Sequence, residues 1–196
     1  SAQVTDIVQR FKADWVITHL FGRSPSVSIK AFRDAGFPLD RVVSFVWGSA
    51  DADVIAAGGW SVAEGYYGIQ FTVIGTDHPV LNEIRQMYRA EGKSPPKEME
   101  EANVYYIRGV AQAFMWAEAI RQALRLAGEP VTGEKMKMGL ENVKGDIKGL
   151  MRLEMSARDH EGGGYVQIWQ AKGGKWVLAK DWFRGYRDIV ESFVYQ

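Results

Sequence analysis

The sequence predicts an α/β protein built on a parallel sheet, and three features of it predict that class. Two short apolar runs, Trp15 to Phe21 and Arg41 to Trp47, enclose a helical pattern. Strand, helix, strand in that order is a βαβ unit, whose strands must be parallel. A long amphipathic segment follows from Val104 to Leu124. Near the end, Gly173-Gly174 separates two strand-like runs, a pattern that predicts a hairpin.

Each element has its own local justification. Trp15-Val16-Ile17-Thr18-His19-Leu20-Phe21 is mostly apolar, as a strand covered on both faces must be. Gly22-Arg23-Ser24-Pro25 supplies a turn, an N-cap serine and a proline suited to the first helical position. Ile29, Phe32 and Ala35 then recur at helical spacing, and Gly36 stops the helix. After the second strand, Gly48 to Gly59 is a loop or short helix containing Asp51 and Asp53. Gly65 to Phe71 predicts a third strand. Asp77-His78-Pro79 opens a helix carrying Val80, Ile84, Met87 and Tyr88, and Glu91 to Glu101, with Pro95-Pro96, is a polar break. The long helix places Val104, Ile107, Val110, Phe114, Ala117, Ile120 and Leu124 on one face and Arg108, Gln112, Glu118, Gln122 and Arg125 on the other, and it ends near Gly128-Glu129-Pro130. Thr132 caps a further helix with Met136, Leu140 and Val143. Leu150 to Met155 is strand-like, Asp159 to Gly164 is a loop, and Tyr165 to Lys172 and Lys175 to Lys180 flank the Gly-Gly turn. The chain has no internal repeat and no low-complexity tract.

Composition narrows the function classes. A chain of 196 residues makes one large domain or two small lobes, and 46% hydrophobic with 24% charged residues is the balance of a packed globular protein. With 24 basic and 24 acidic residues the formal net charge is zero, and no single-sign run concentrates it. This argues against nucleic acid or an anionic membrane as partner, since both require a concentrated basic surface. No apolar run approaches the ~20 residues that span a bilayer. Signal-peptide architecture is absent, so the expectation is a cytosolic or already processed chain. Without cysteine there is no disulfide, thiolate nucleophile or thiolate metal site.

The chemistry-bearing residues do not form a catalytic constellation. His19, His78 and His160 are far apart in sequence. Asp159-His160-Glu161 is a dense group of ligand types, but adjacent residues point in different directions, and a turn stabilised by Asp and Gly is the simpler reading. Gly162-Gly163-Gly164 precedes a strand rather than a helix, so no helix N-terminus faces an anion there. A Gly-x-Gly-x-x-Gly fingerprint and a lysine-bearing phosphate loop are both missing, which leaves no cofactor to expect. The informative positions are the strand ends, because open parallel sheets bind ligands outside the carboxyl ends of their strands. Phe21, Gly22 and Arg23 follow the first strand; Trp47, Gly48, Ser49 and Asp51 follow the second. Two readings stand: these residues line a small-molecule pocket, or Phe21 and Trp47 finish the core while Arg23 and Asp51 are solvated. His19 has the same two readings.

Motifs in order along the chain resemble one family. Ala13-Asp14-Trp15-Val16-Ile17, Ala31 through Gly36, Val62-Ala63-Glu64-Gly65-Tyr66, Tyr105-Tyr106 through Leu124, and the closing Gly-Gly hairpin with Asp181-Trp182 are similar to the type I periplasmic binding proteins of ABC importers, the branched-chain amino acid-binding type. The resemblance implies two α/β lobes joined by crossovers, with a solute held in the cleft between them. It assigns residues 1–64 to the second lobe, 65–155 to a mostly helical segment of the first, and 156–196 to a return into the second. It also implies that the first-lobe sheet precedes Ser1, that the chain is a truncated C-terminal portion, and that the long helix lacks its covering sheet, so a homodimer of the truncated chain is expected. A membrane permease is the implied partner, and the periplasm the implied location.

By the same resemblance Phe21, Arg23, Trp47, Ser49 and Asp51 are the candidate ligand-binding residues, with no metal. Amino-acid binders of the family place an acid in the loop that here reads Trp47 to Ser49, and Asp51 is displaced from that place by a few residues. An aromatic or amide-like solute therefore competes with an amino acid. A ligand-sensing domain of a receptor or regulator with the same fold is the alternative function, and a doubly wound enzyme is a third.

Overall fold

The computed structural model describes residues 2–194. The chain opens with α1 (Ala2–Thr5), which runs on into a π-helical turn (Asp6–Arg10), then β1 (Val16–Thr18), α2 (Ser24–Asp34), a 3-10 turn (Leu39–Arg41), β2 (Val42–Ser44), α3 (Asp51–Ala56), α4 (Trp60–Ala63) and β3 (Tyr67–Gln70). Next come α5 (Pro79–Ala90), α6 (Glu98–Glu101), α7 (Asn103–Ala127) and α8 (Gly133–Leu140). The chain closes with β4 (Lys144–Ile147), β5 (Met151–Glu154), β6 (Val166–Lys172), β7 (Lys175–Phe183) and α9 (Arg187–Val194). None of the described helices is long and apolar enough to cross a membrane.

The first compact unit takes the described residues up to Gln70, then Ile74–Tyr106 and Gln167–Asp181. Its sheet has the order β1-β2-β3-β6-β7. β1 pairs with β2 and β2 with β3 in parallel, Thr18 opposite Ser44 and Ser44 opposite Gly68, as the βαβ pattern predicts. β3 pairs with β6 antiparallel, Gly68 opposite Trp169. Gly173 and Gly174 both take positive φ, +60° and +84°, which is why two glycines close the β6–β7 hairpin. α2 starts one residue earlier than expected: Arg23 occupies the N-cap and Ser24 is already helical, so Pro25 falls in the second helical position. Ile29 and Phe32 are buried against Val16, Val42, Val54 and Tyr66, which makes one face of α2 the cover of the parallel strands.

The second unit takes Phe71–Val73, Ile107–Val166 and Trp182 onward. Its sheet is the β4–β5 hairpin, Asp146 opposite Arg152. β4 was not expected, because Lys-Gly-Asp-Ile carries no alternation, and only its partner strand makes it a strand. Thr132 caps α8 as predicted, its hydroxyl accepting from the Lys135 N–H at 3.3 Å. The buried face of α7 differs from the expected one. Ile107 is buried, but so are Ala111, Ala119 and Ala123, while Ile120 and Leu124 are exposed. The cause is close helix packing: Gly139 of α8 lies against the Ala119 carbonyl, and a Cβ there would come within 2.9 Å of the Ala123 methyl. Such an approach admits small residues and excludes leucine.

Two glycines of this unit should therefore respond oppositely to the same change. Gly139→Ala overpacks the α7–α8 contact and should lower stability by about 1–3 kcal/mol. Gly109→Ala, on α7 with nothing within 4 Å of its new methyl, should raise it by up to about 1 kcal/mol through helix propensity. Urea titration of the two variants measures both.

Candidate functional site

Parallel pairing sends the segments after β1 and β2 out of the same edge of the first unit's sheet. The pairing outlasts the strands, since the Phe45 N–H donates to the Thr18 carbonyl at 3.0 Å. Beneath these segments lies a buried polar knot of Thr18, Ser44 and Tyr66. Burial pushes the Tyr66 phenol up to about 12, with the neighbouring Ser44 and Thr18 hydroxyls opposing that rise. As a neutral donor it holds the Gly48 carbonyl at 3.0 Å. The Ser44 hydroxyl faces the carbonyls of Phe45 and Trp47 at 3.1 and 3.5 Å. Gly48 itself has φ +132°, and a Cβ on it would strike the Ser44 hydroxyl and come 3.1 Å from the Pro25 Cβ. The loop after β2 is thus pressed against the start of α2.

On this scaffold the five sequence candidates fall into two groups. Phe21 is 77% and Trp47 51% exposed, and Arg23 is exposed beside them at the start of α2. His19 and Phe45 join them at the same edge, their rings edge to face with centroids 5.8 Å apart. Phe45 was read as part of the second strand; β2 ends at Ser44, and that early end releases the ring to the surface. Ser49 and Asp51 lie apart from this surface group. Ser49 is fully buried, its hydroxyl facing the Val46 and Ile69 carbonyls, each at 3.2 Å, and its own carbonyl accepts from the Gln70 amide. Asp51 starts α3 and accepts from the Val104 N–H at 3.4 Å. Burial raises its pKa, against the lowering effect of that hydrogen bond.

A family model for periplasmic binding proteins matches residues 1–175. The chain belongs to the periplasmic binding protein family. Among solved structures it is similar to a protein described as an ABC transporter permease from the Pseudomonas fluorescens group, at 33% identity and TM-score 0.86, over 97% of this chain and 48% of that one. It is similar in fold to a branched-chain amino acid ABC transporter protein from Thermus thermophilus with bound valine, at 20% identity and TM-score 0.71, over 98% of this chain and 52% of the other. A fatty acid ABC transporter substrate-binding protein from Thermomonospora curvata follows at 14% identity and TM-score 0.68, over 93% and 46%. The chain spans about half the length of these structures. No curated protein sequence matches it.

The fold of this periplasmic binding protein is the type I α/β fold of those neighbours. A cavity of about 570 Å³ in its first unit is lined by β1 together with Val4, Ile7, Leu20 and Val27, and it takes in His19 and Arg23 but not Phe21 or Trp47. It lies along β1, one of the two edge strands of that sheet. In the second unit, Asp159 and Glu161 share one partner and His160 has another. Arg187 meets Asp159 at 2.8 Å and Glu161 at 3.0 Å, while His160 pairs with Glu141 at 3.1 Å and holds that carboxyl below the usual range. These contacts pin α9 to the loop before β6, and no grouping of three or more metal-ligating side chains occurs among the described residues.

A titration separates a structural Asp51 from a solvated one. Because burial raises its folded-state pKa, its stabilising contribution is fully present below the unfolded value of 3.8 and is lost as pH rises through the folded value. Asp51→Asn keeps an acceptor for the Val104 N–H but cannot ionise. Between pH 4 and pH 7 the variant should lose less stability than the parent protein in urea titrations; equal losses at the two pH values would count against the assignment.

Proposed function

We propose that this chain is part of the substrate-binding component of an ABC importer, working outside the cytoplasmic membrane. It holds a small organic solute at the carboxyl edge of the first unit's parallel sheet and delivers it to a membrane permease. One observation carries the reading: Phe21 and Trp47 expose large apolar surface beside Arg23 on loops that Gly48, Ser44 and Tyr66 hold rigid. Rings left in water at a rigid strand edge are what a small-molecule site requires, since the solute supplies the missing contact. The valine bound to the Thermus thermophilus protein and the fatty acid named for the Thermomonospora curvata protein support solutes of this size class. The role is capture rather than turnover. The exposed groups of the edge segments are rings, the His19 imidazole, the Arg23 guanidinium and the Ser24 hydroxyl, a set suited to holding a solute.

The test is thermal denaturation of the gene-encoded protein against amino acids, aliphatic and aromatic acids, and amides. A cognate solute at a hundredfold excess over its Kd should add about 2.7 kcal/mol to stability and raise the Tm. Phe21→Ala and Trp47→Ala should each weaken that solute about tenfold in calorimetry, in line with the 1.5–3 kcal/mol of burying a large side chain. A protein stabilised by none of the panel, or one that consumes the solute that stabilises it, is not a binding protein of this kind.

A further inference from the structure

The charges at the edge are as one-sided as its rings. Along the two segments that leave β1 and β2, residues 19–25 and 45–50, the ionisable side chains are His19 and Arg23, with no carboxylate among them. Of the acids nearest in sequence, Asp14 precedes β1 at the amino edge, and Asp51 and Asp53 bond to backbone donors. Asp51 accepts from the Val104 N–H, and Asp53 accepts from the Ala50 N–H at 3.2 Å. Asp34 belongs to the far end of α2, where it pairs with Lys30 at 3.1 Å, and Asp40 precedes β2 at the amino edge. Arg23 is exposed and makes no ion pair among the described residues, and the His19 ring packs edge to face with Phe45. An ammonium group brought to these two segments meets a guanidinium and no carboxylate of theirs. A carboxylate meets a planar fork of donors matched to its two oxygens.

Resting on the solute-binding reading above, we infer that the site takes an aromatic carboxylate, its ring against Phe21 and Trp47 and its carboxylate facing Arg23 with His19 alongside. The pressed loop makes this pairing possible: Gly48 against Pro25 brings the Trp47 segment beside the Arg23 segment, so rings and cation stand on adjoining turns of backbone. Rings supply affinity for a flat apolar body and the guanidinium supplies the sign of the charge. Neither alone selects an aromatic acid over a neutral aromatic or an aliphatic acid; the two together select it over both.

Calorimetry and tryptophan fluorescence on the gene-encoded protein test the inference with benzoate, phenylacetate, benzamide, hexanoate and valine as probes. Benzoate or phenylacetate should bind and quench fluorescence, with benzamide and hexanoate at least tenfold weaker and valine weaker still. Arg23→Gln should cost the aromatic acids at least tenfold while leaving benzamide within about twofold, and Arg23→Lys should recover part of the loss. Trp47→Ala should weaken acid and amide alike. Arg23 is exposed, so these variants should keep the parent's circular dichroism and Tm. Benzamide or valine binding as tightly as the aromatic acids overturns the inference, as does an equal effect of Arg23→Gln on acid and amide. If the wider panel yields a different solute, this inference falls and the binding role stands; if no solute binds at all, both fall.

Discussion

The hydroxyl of Tyr66 reaches the Gly48 carbonyl at a point where the backbone has no room for a Cβ, and the geometry of the carboxyl edge follows from that contact. Gly48 lies between the Ser44 side chain and the Pro25 ring. Any side chain there would push the loop after β2 away from α2, and φ +132° would strain an L-residue even with space available. With glycine in place the loop is held from both sides. Ser49 continues the hold by burying its hydroxyl against the ends of β2 and β3, and Gln70 holds the Ser49 carbonyl. The Tyr66 and Ser49 hydroxyls and the Gln70 amide beneath the loop all have protein partners, so the hold is built from the protein's own groups.

This buried knot explains why the surface above it can carry Phe21 and Trp47. Exposed rings tend to fold inward, and a mobile loop would bury them against its own scaffold. Here Thr18, Ser44, Ser49 and Tyr66 are buried beneath the loops. The division of labour is spatial. Small hydroxyl residues point in and set backbone positions, and the large rings of Phe21 and Trp47 are exposed. Asp51 belongs with the first group, because a half-buried carboxylate bonded to the backbone at the start of α7 is a strut between elements of the same unit.

The elements that sequence pattern located are those whose signal is local. The βαβ alternation, the Gly-Gly hairpin and the Thr132 cap each rest on a few neighbouring residues, and each stands where expected. The elements it missed depend on distant partners. β4 is a strand because β5 pairs with it, and α9 is held by Arg187 reaching Asp159 and Glu161 from across the unit's sequence. The face of α7 was misjudged for a related reason. Bulky residues dominate a periodicity reading, yet the contact with α8 is made through Ala119, Ala123 and Gly139, whose smallness is the packing signal. Among the strand-end candidates, Phe21, Arg23 and Trp47 are exposed, whereas Ser49 is buried and Asp51 bonds to backbone. Residue type could not separate a hydroxyl facing solvent from one facing two carbonyls. Gly48 was the clue available in advance, since a glycine directly after a strand signals close approach of backbone.

The electrostatics of the edge follow from the same packing. A carboxylate near a parallel sheet's carboxyl edge either faces a ligand or satisfies backbone donors. Asp53 takes the Ala50 N–H at the start of α3, and Asp51 takes Val104, so both nearby acids serve helix ends. Those backbone N–H bonds keep both carboxyl groups oriented inward. Arg23 has no such backbone role, because a guanidinium finds no acceptor in a turn that opens a helix. It therefore stays in solvent beside the rings. The sign of the edge is set less by which charges the sequence contains than by which of them the backbone can use.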